Sequence, residues 1–172
     1  MKTLMGPKQF VARCVLAGCA LLSGAALASS PAEFIDEATV AGIAEIETSR
    51  MAISQTSSTD IESYAVEMIK DHTNANRDLK ALASQQDWPI LSDEHMQAKA
   101  QALMPALPDG EAFDAAYSMN QVKAREQTLE LFKQQASRSE SPELQALAEK
   151  YLPKFEMHRV MAQKLVDAHN RP

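Results

Sequence analysis

Apolar residues recur at spacings of three and four along most of the chain after residue 30, which is the period of an amphipathic α-helix. The clearest such stripe is formed by Ile61, Ala65, Met68, His72, Ala75, Leu79 and Leu82. Good helix formers such as Ala, Leu, Met, Glu, Gln and Lys are common, whereas runs of β-branched or aromatic residues are few. The pattern therefore predicts an all-α protein.

Local start and stop signals divide this region into four long helices and one short helix. The predicted helices run from Ser30 to about Ser54, Thr59 to about Gln86, Ser92 to Pro105, Glu111 to Ser137, and Ser141 to about His169. Ser30 and Glu33 form a capping box, and Thr59 with Glu62 resembles a second one. Pro153 lies inside the last helix, where we expect a kink.

The lengths of the links predict how the four long helices pair. Short links join helices one and two and helices three and four, so each pair should form an antiparallel hairpin. The long link, residues 87–110, joins the two hairpins and holds the short helix. We therefore expect a ferritin-like four-helix bundle with a long crossover, formed as one domain by residues 29–172. A plain up-down-up-down bundle is the alternative.

The first 28 residues have the pattern of a signal peptide. Lys2, Lys8 and Arg13 precede an apolar stretch, residues 14–26, and a small-x-small signal predicts cleavage before Ser29. We therefore expect a periplasmic protein with no membrane span after cleavage. A lipoprotein anchored through Cys19 is a minority alternative, and a retained anchor is another.

Composition excludes several classes of function. The net charge of −6 would become −9 after cleavage, which argues against nucleic acid and anionic lipid as partners. Both Cys and three of the five Gly lie in the first 24 residues, so the remaining chain has no disulfide, no thiol nucleophile and no glycine-rich phosphate loop. The di-iron Glu-x-x-His motif, the zinc-protease motif and the serine-hydrolase motif are absent. The sequence predicts no catalytic or cofactor-binding residue, and it favours a protein that is not an enzyme.

One polar residue interrupts the apolar stripe of each long helix. The other three stripes are Ile35, Ala38, Gly42, Glu45, Ser49 and Ala52; Ala115, Met119, Val122, Arg125, Leu129, Phe132 and Ala136; and Leu144, Leu147, Tyr151, Phe155, His158, Ala162 and Leu165. The interrupting residues, each near the middle of its helix, are Glu45, His72, Arg125 and His158. Because mid-helix positions of an antiparallel bundle meet in one layer, we expect these four to converge. Asp71 should point about 100° away from His72 and support the layer at most.

Such a layer has two interpretations. Glu45, His72 and His158 are suitable ligands for zinc, copper or iron, so the first is a site for a divalent transition metal. The second is a buried polar network of all four residues with no cofactor. Arg125 favours the network, because a guanidinium repels a divalent cation and would instead pair with Glu45.

Several short segments together resemble one known family. They are Ala44-Glu45-Ile46, Met68-Ile69-Lys70-Asp71-His72, Phe113-Asp114-Ala115-Ala116-Tyr117, and Leu152-Pro153 followed by His158. The chain resembles the exported bacterial family called domain of unknown function 4142, over residues 34–165. The resemblance implies a ferritin-like bundle in the cell envelope with no established activity. It also implies an Asp-His pair in helix three, where this chain has Ala124 and Arg125.

Three hypotheses for function follow. The leading one is an exported helical bundle with a non-enzymatic binding or stress-related role. The second is a metal-binding protein that uses Glu45, His72 and His158. The third is a scaffold that offers a helix face to an envelope protein or to a second copy of itself.

Overall fold

The computed structural model describes residues 30–170, which form five α-helices and one short 3-10 turn and contain no strand. The helices are α1 (Pro31–Gln55), α2 (Thr59–Gln85), α3 (Asp93–Leu103), α4 (Phe113–Arg138) and α5 (Pro142–His169). The all-α prediction is confirmed, although Glu111 lies in the 3-10 turn Gly110–Ala112 that precedes α4. The predicted signal peptide and the lipoprotein hypothesis for Cys19 fall outside the described residues.

The first predicted capping box is confirmed and the second is wrong. The Ser30 hydroxyl accepts from the backbone N–H of Glu33, whose carboxylate accepts from the Ser30 N–H at 2.8 Å. At the second site, Thr59 already lies inside the helix and Ser58 is the capping residue, with no side-chain cap bond. The Ser58 hydroxyl instead donates to Asp60, so this helix end uses a different local hydrogen bond.

The helix directions follow from two apolar clusters at opposite ends of the bundle. The first cluster joins Phe34 of α1, Leu79 of α2, Phe132 of α4 and Leu144 of α5. The second joins Ala52 of α1, Ile61 of α2, Tyr117 of α4 and Leu165 of α5. Hence α1 and α5 run from the first cluster to the second, and α2 and α4 run back. Because α2 and α4 are parallel, the link between them spans the bundle, which is the predicted ferritin-like crossover and not the up-down-up-down alternative.

The predicted apolar stripes of α1 and α2 are buried, and so is most of the stripe of α5. For α4, the prediction is wrong in the first half of the helix. Met119 was expected inside and is 61% exposed, whereas Tyr117, Ser118 and Gln121 are buried. Two of them have hydrogen-bond partners that offset the cost of burial: the Ser118 hydroxyl donates to the Asp114 carbonyl at 2.7 Å, and the Gln121 side-chain oxygen accepts from a tyrosine of α2.

The crossover covers part of α1. Met96 and Ala100 of α3 are buried against Val40 and Ala44. The Asp36 carboxylate accepts from the backbone N–H at residue 91 at 2.8 Å, which fixes the start of the crossover. None of the helices within residues 30–170 is both long and apolar enough to cross a membrane.

Gly42 marks the closest approach of α1 and α2. A Cβ atom at this position would lie 2.9 Å from Cγ of Asn76, whose amide donates to the Thr39 carbonyl at 3.3 Å. Glycine is needed here because Asn76 fills the space that a side chain would take.

We therefore expect Gly42→Ala to lower the free energy of unfolding by about 1–3 kcal/mol, despite the better helix propensity of alanine. Urea titration followed by circular dichroism measures the change. Adding Asn76→Ala should relieve the clash, so the double variant should be less destabilised than the sum of the two single variants. Simple additivity would contradict this interpretation.

Candidate functional site

A layer of buried polar side chains separates the two apolar clusters. Glu45, His72, Arg125 and His158 all lie in it, as the stripes predicted, and all four are buried. Arg125 is 0% exposed, which is unusual for an arginine. The whole layer is therefore organised around a charge that has no contact with water.

Arg125 binds two helices at once. Its Nη2 lies 2.7 Å from the Glu45 carboxylate of α1, and its Nη1 lies 2.5 Å from Nε2 of His72 on α2. Nη1 also contacts the sulfur of Met68 at 3.8 Å. Since a guanidinium only donates, Nε2 of His72 must accept, and the proton of this neutral imidazole is on Nδ1. The His72 ring stacks on Phe155 of α5, with centroids 5.3 Å apart.

A second ion-paired group joins α2 to α5. Asp71 is 1% exposed, and its two oxygens lie 2.9 Å from Nε2 of His158 and 2.8 Å from Nζ of Lys154. Asp71 was expected to support the layer at most, and Lys154 was not considered. The sequence does contain a signal for this contact. Lys154 and His158 are four residues apart on one helix, so both side chains can reach a single carboxylate on a neighbouring helix, which here is Asp71.

The buried network sets the protonation of its members. Burial, together with the Arg125 charge, holds the pKa of His72 well below 6.5. Burial also lowers the pKa of His158 to about 4, although the bond to Asp71 opposes the change. Burial raises the pKa of Asp71, but the bonds from Lys154 and His158 outweigh it and leave the pKa below the usual value. Both histidines are therefore neutral at pH 7.

Tyrosines extend the polar layer towards the second cluster. The Tyr64 hydroxyl of α2 donates to Gln121 of α4 at 3.0 Å, and burial raises its pKa, so it keeps its proton. The Tyr64 and Tyr117 rings meet edge to face, with centroids 6.3 Å apart. With the bond from Arg125 to His72, this is a second polar link between α2 and α4 through the bundle interior.

The geometry around Arg125 bears on the metal hypothesis. Glu45 and His72 both face the guanidinium, while His158 faces Asp71. Across residues 30–170, no three or more His, Cys, Asp or Glu side chains are placed to hold a metal ion. Metal binding by Glu45, His72 and His158 stays a prediction.

A groove of about 1060 Å³ lies between α1 and α4 and is bordered by the crossover. Nine of the nineteen residues that line it are small or apolar: Val40, Ala41, Ala44, Leu91, Ala102, Leu103, Pro105, Ala124 and Leu131. Glu45 lines it too, with 10% of its side chain exposed, so the groove reaches the polar layer. Sequence reasoning missed this groove, because alanines on a helix do not reveal how far the neighbouring helix stands away.

Comparison with known families agrees with the resemblance noted from the sequence. Residues 20–165 match the model of a family described as a domain of unknown function, DUF4142. The chain belongs to the DUF4142 family. No curated protein and no solved structure matches it. The function of this DUF4142 protein has to be inferred from its own residues.

Removing Arg125 should be costly, because it leaves the Glu45 carboxylate unpaired. We expect Arg125→Met to lower the free energy of unfolding by about 3–5 kcal/mol, measured by urea titration. The double variant Glu45→Gln/Arg125→Met should recover most of that loss, since it removes both charges. As a control, Arg50→Met removes an exposed ion pair with Glu47 and should change stability by less than about 0.5 kcal/mol. A loss for Arg125→Met no larger than that of the control would contradict a buried network.

The neutral histidines predict how stability depends on pH. Between pH 6.5 and about 4 the unfolded chain protonates His158 and the folded chain does not, so the free energy of unfolding should fall as the pH falls through this window. Below that window the lowered pKa of Asp71 should cause a further loss.

Urea titrations from pH 7 to pH 4 measure this dependence. His158→Gln should flatten the curve by an amount on the order of 1–3 kcal/mol across the window. His95→Gln, at an exposed position, should leave the slope unchanged. An equal slope in the His158→Gln protein and the wild type would show that another group carries the pH dependence.

Proposed function

We propose that this DUF4142 protein is an exported, non-enzymatic binding protein that holds a small molecule in the groove between α1 and α4. The observation that carries the proposal is the groove itself. Its volume of about 1060 Å³ lies just above the usual range for small-molecule sites, which is roughly 300–1000 Å³. Small-molecule sites typically combine apolar walls with placed polar groups, and this lining combines nine small or apolar residues with the buried polar residues Glu45, Thr48 and Thr128.

The chemistry of the polar layer supports binding over catalysis. Arg125 is ion-paired with Glu45 and hydrogen-bonded to His72, and Asp71 is hydrogen-bonded to His158 and Lys154. These groups are engaged with one another and, apart from Glu45, none lines the groove. A general acid or base has to reach the substrate, which the two histidines do not do from these positions.

The sequence of residues 1–28 supports export. A basic start, an apolar stretch and a cleavage signal before Ser29 are the features of a secretory signal peptide. We place the binding role in the periplasm for this reason.

Native mass spectrometry of protein purified from the envelope fraction tests the proposal. We expect a small molecule to accompany the wild-type chain, and we expect the chain mass to correspond to cleavage before Ser29. Ala124→Trp should abolish the bound mass, because Ala124 is half-buried in the groove wall and an indole would fill the groove.

The matched control is Ala146→Trp, which places the same side chain at an exposed position of α5 outside the groove. It should keep the bound molecule. Circular dichroism checks that both variants fold. If both variants keep the bound molecule, or if both lose it, the result would contradict binding in this groove.

A further inference from the structure

The groove differs in polarity between its walls and its floor, and this difference indicates a class of ligand. We propose that it selects an amphipathic organic cation, in which an ammonium group binds Glu45 and an apolar body lies along the walls. The inference rests on the proposed binding function and adds the chemical class of the ligand.

The floor of the groove offers acceptors that the protein leaves unused. Oε2 of Glu45 faces Arg125, while Oε1 makes no hydrogen bond or ion pair within residues 30–170. Thr48 and Thr128 are buried in the same lining, and their hydroxyls have no hydrogen-bond partner among the described residues either. One carboxylate oxygen and two hydroxyls match the three donors of a primary ammonium group.

The ion pair with Arg125 does not cancel this preference. Arg125 is fully buried and does not line the groove, so a ligand meets the carboxylate before the guanidinium. A charge-assisted hydrogen bond to a buried carboxylate is about twice as strong as a neutral one. An anionic group at the same place would leave the oxygens of Glu45 facing a like charge.

The charges along the rest of the groove also favour a cation. The acidic residues Glu33, Asp36 and Glu37 lie at the other end of the groove. Its lining contains only two basic residues, Lys99 and Lys123. With Glu45 included, the lining carries more negative than positive charge. This complementarity favours entry of a cation and disfavours an anion of similar shape.

The walls account for the apolar part of the ligand. The lining follows α1 from Glu33 to Thr48, which at 1.5 Å per residue is about 22 Å. Along that length, α1 contributes Val40, Ala41 and Ala44 towards the groove. The wall side chains that still meet water are Leu103, which is 59% exposed, and the half-buried Ala41 and Leu131. An elongated apolar body would cover them, whereas a small polar cation would not.

Isothermal titration calorimetry with three probes tests the inference, each used below any micellar concentration. The probes are decylammonium, decanoate with a similar chain and the opposite charge, and methylammonium with the head group alone. We expect decylammonium to bind at least about 10-fold more tightly than decanoate and about 100-fold more tightly than methylammonium.

Variants locate the head group. Glu45→Gln/Arg125→Met removes both charges while conserving size, and it should weaken decylammonium binding about 10-fold. Glu47→Gln is the control, since it makes the same change on α1 outside the groove. If the double variant does not fold, Thr48→Val keeps the ion pair, removes one acceptor and should weaken decylammonium without affecting decanoate.

Two results would overturn the inference in distinguishable ways. Equal affinity for decylammonium and decanoate, with both lost in Ala124→Trp, would show that the groove binds apolar chains but does not select a cation; the proposed binding function would then survive. If decylammonium binds Ala124→Trp as tightly as it binds the wild type, the ligand lies elsewhere. That result would contradict both the cation selectivity and the proposed binding function.

Discussion

The burial of Arg125 is the constraint on which the interior of this bundle depends. A guanidinium without contact to water needs acceptors from its surroundings, and here the Glu45 carboxylate and the His72 ring provide them. Burial and this charge together hold the pKa of His72 low and keep the ring neutral, and the bond from Arg125 fixes which ring nitrogen carries the proton. The Arg125 side chain thereby fixes how α1, α2 and α4 are rotated about their own axes.

The polar layer gives the bundle a register that the apolar clusters alone would not. Apolar side chains tolerate sliding and rotation, whereas a buried ion pair tolerates neither, because each misplaced group would be left unpaired. Asp71 extends the same logic to α5 through His158 and Lys154. All four long helices are thus joined at one depth. Among them, α2 and α4 are linked through the bundle interior by the contacts of Arg125 and Tyr64.

The groove is a consequence of the same arrangement. Glu45 holds α1 to α4 through Arg125, yet the surrounding positions carry small side chains such as Ala41, Ala44 and Ala124 that do not fill the space between the two helices. The ion pair therefore forms the floor of an open groove instead of the centre of a closed core. This placement leaves one carboxylate oxygen accessible while the guanidinium stays covered, which is how a structural network can also supply a binding group.

The sequence by itself determined the features that depend on one helix at a time. These are the five helices, the cap at Ser30, the stripes of α1, α2 and α5, and the common depth of Glu45, His72, Arg125 and His158. These features could be predicted because the period of a helix fixes which residues share a face. The long link already favoured the parallel course of α2 and α4, and the tertiary structure decided it against the up-down-up-down alternative. The tertiary structure alone decided the burial of Tyr117 in place of Met119, the bond between Asp71 and Lys154, and the groove. Each of these depends on the distance and rotation between helices, which local periodicity does not encode.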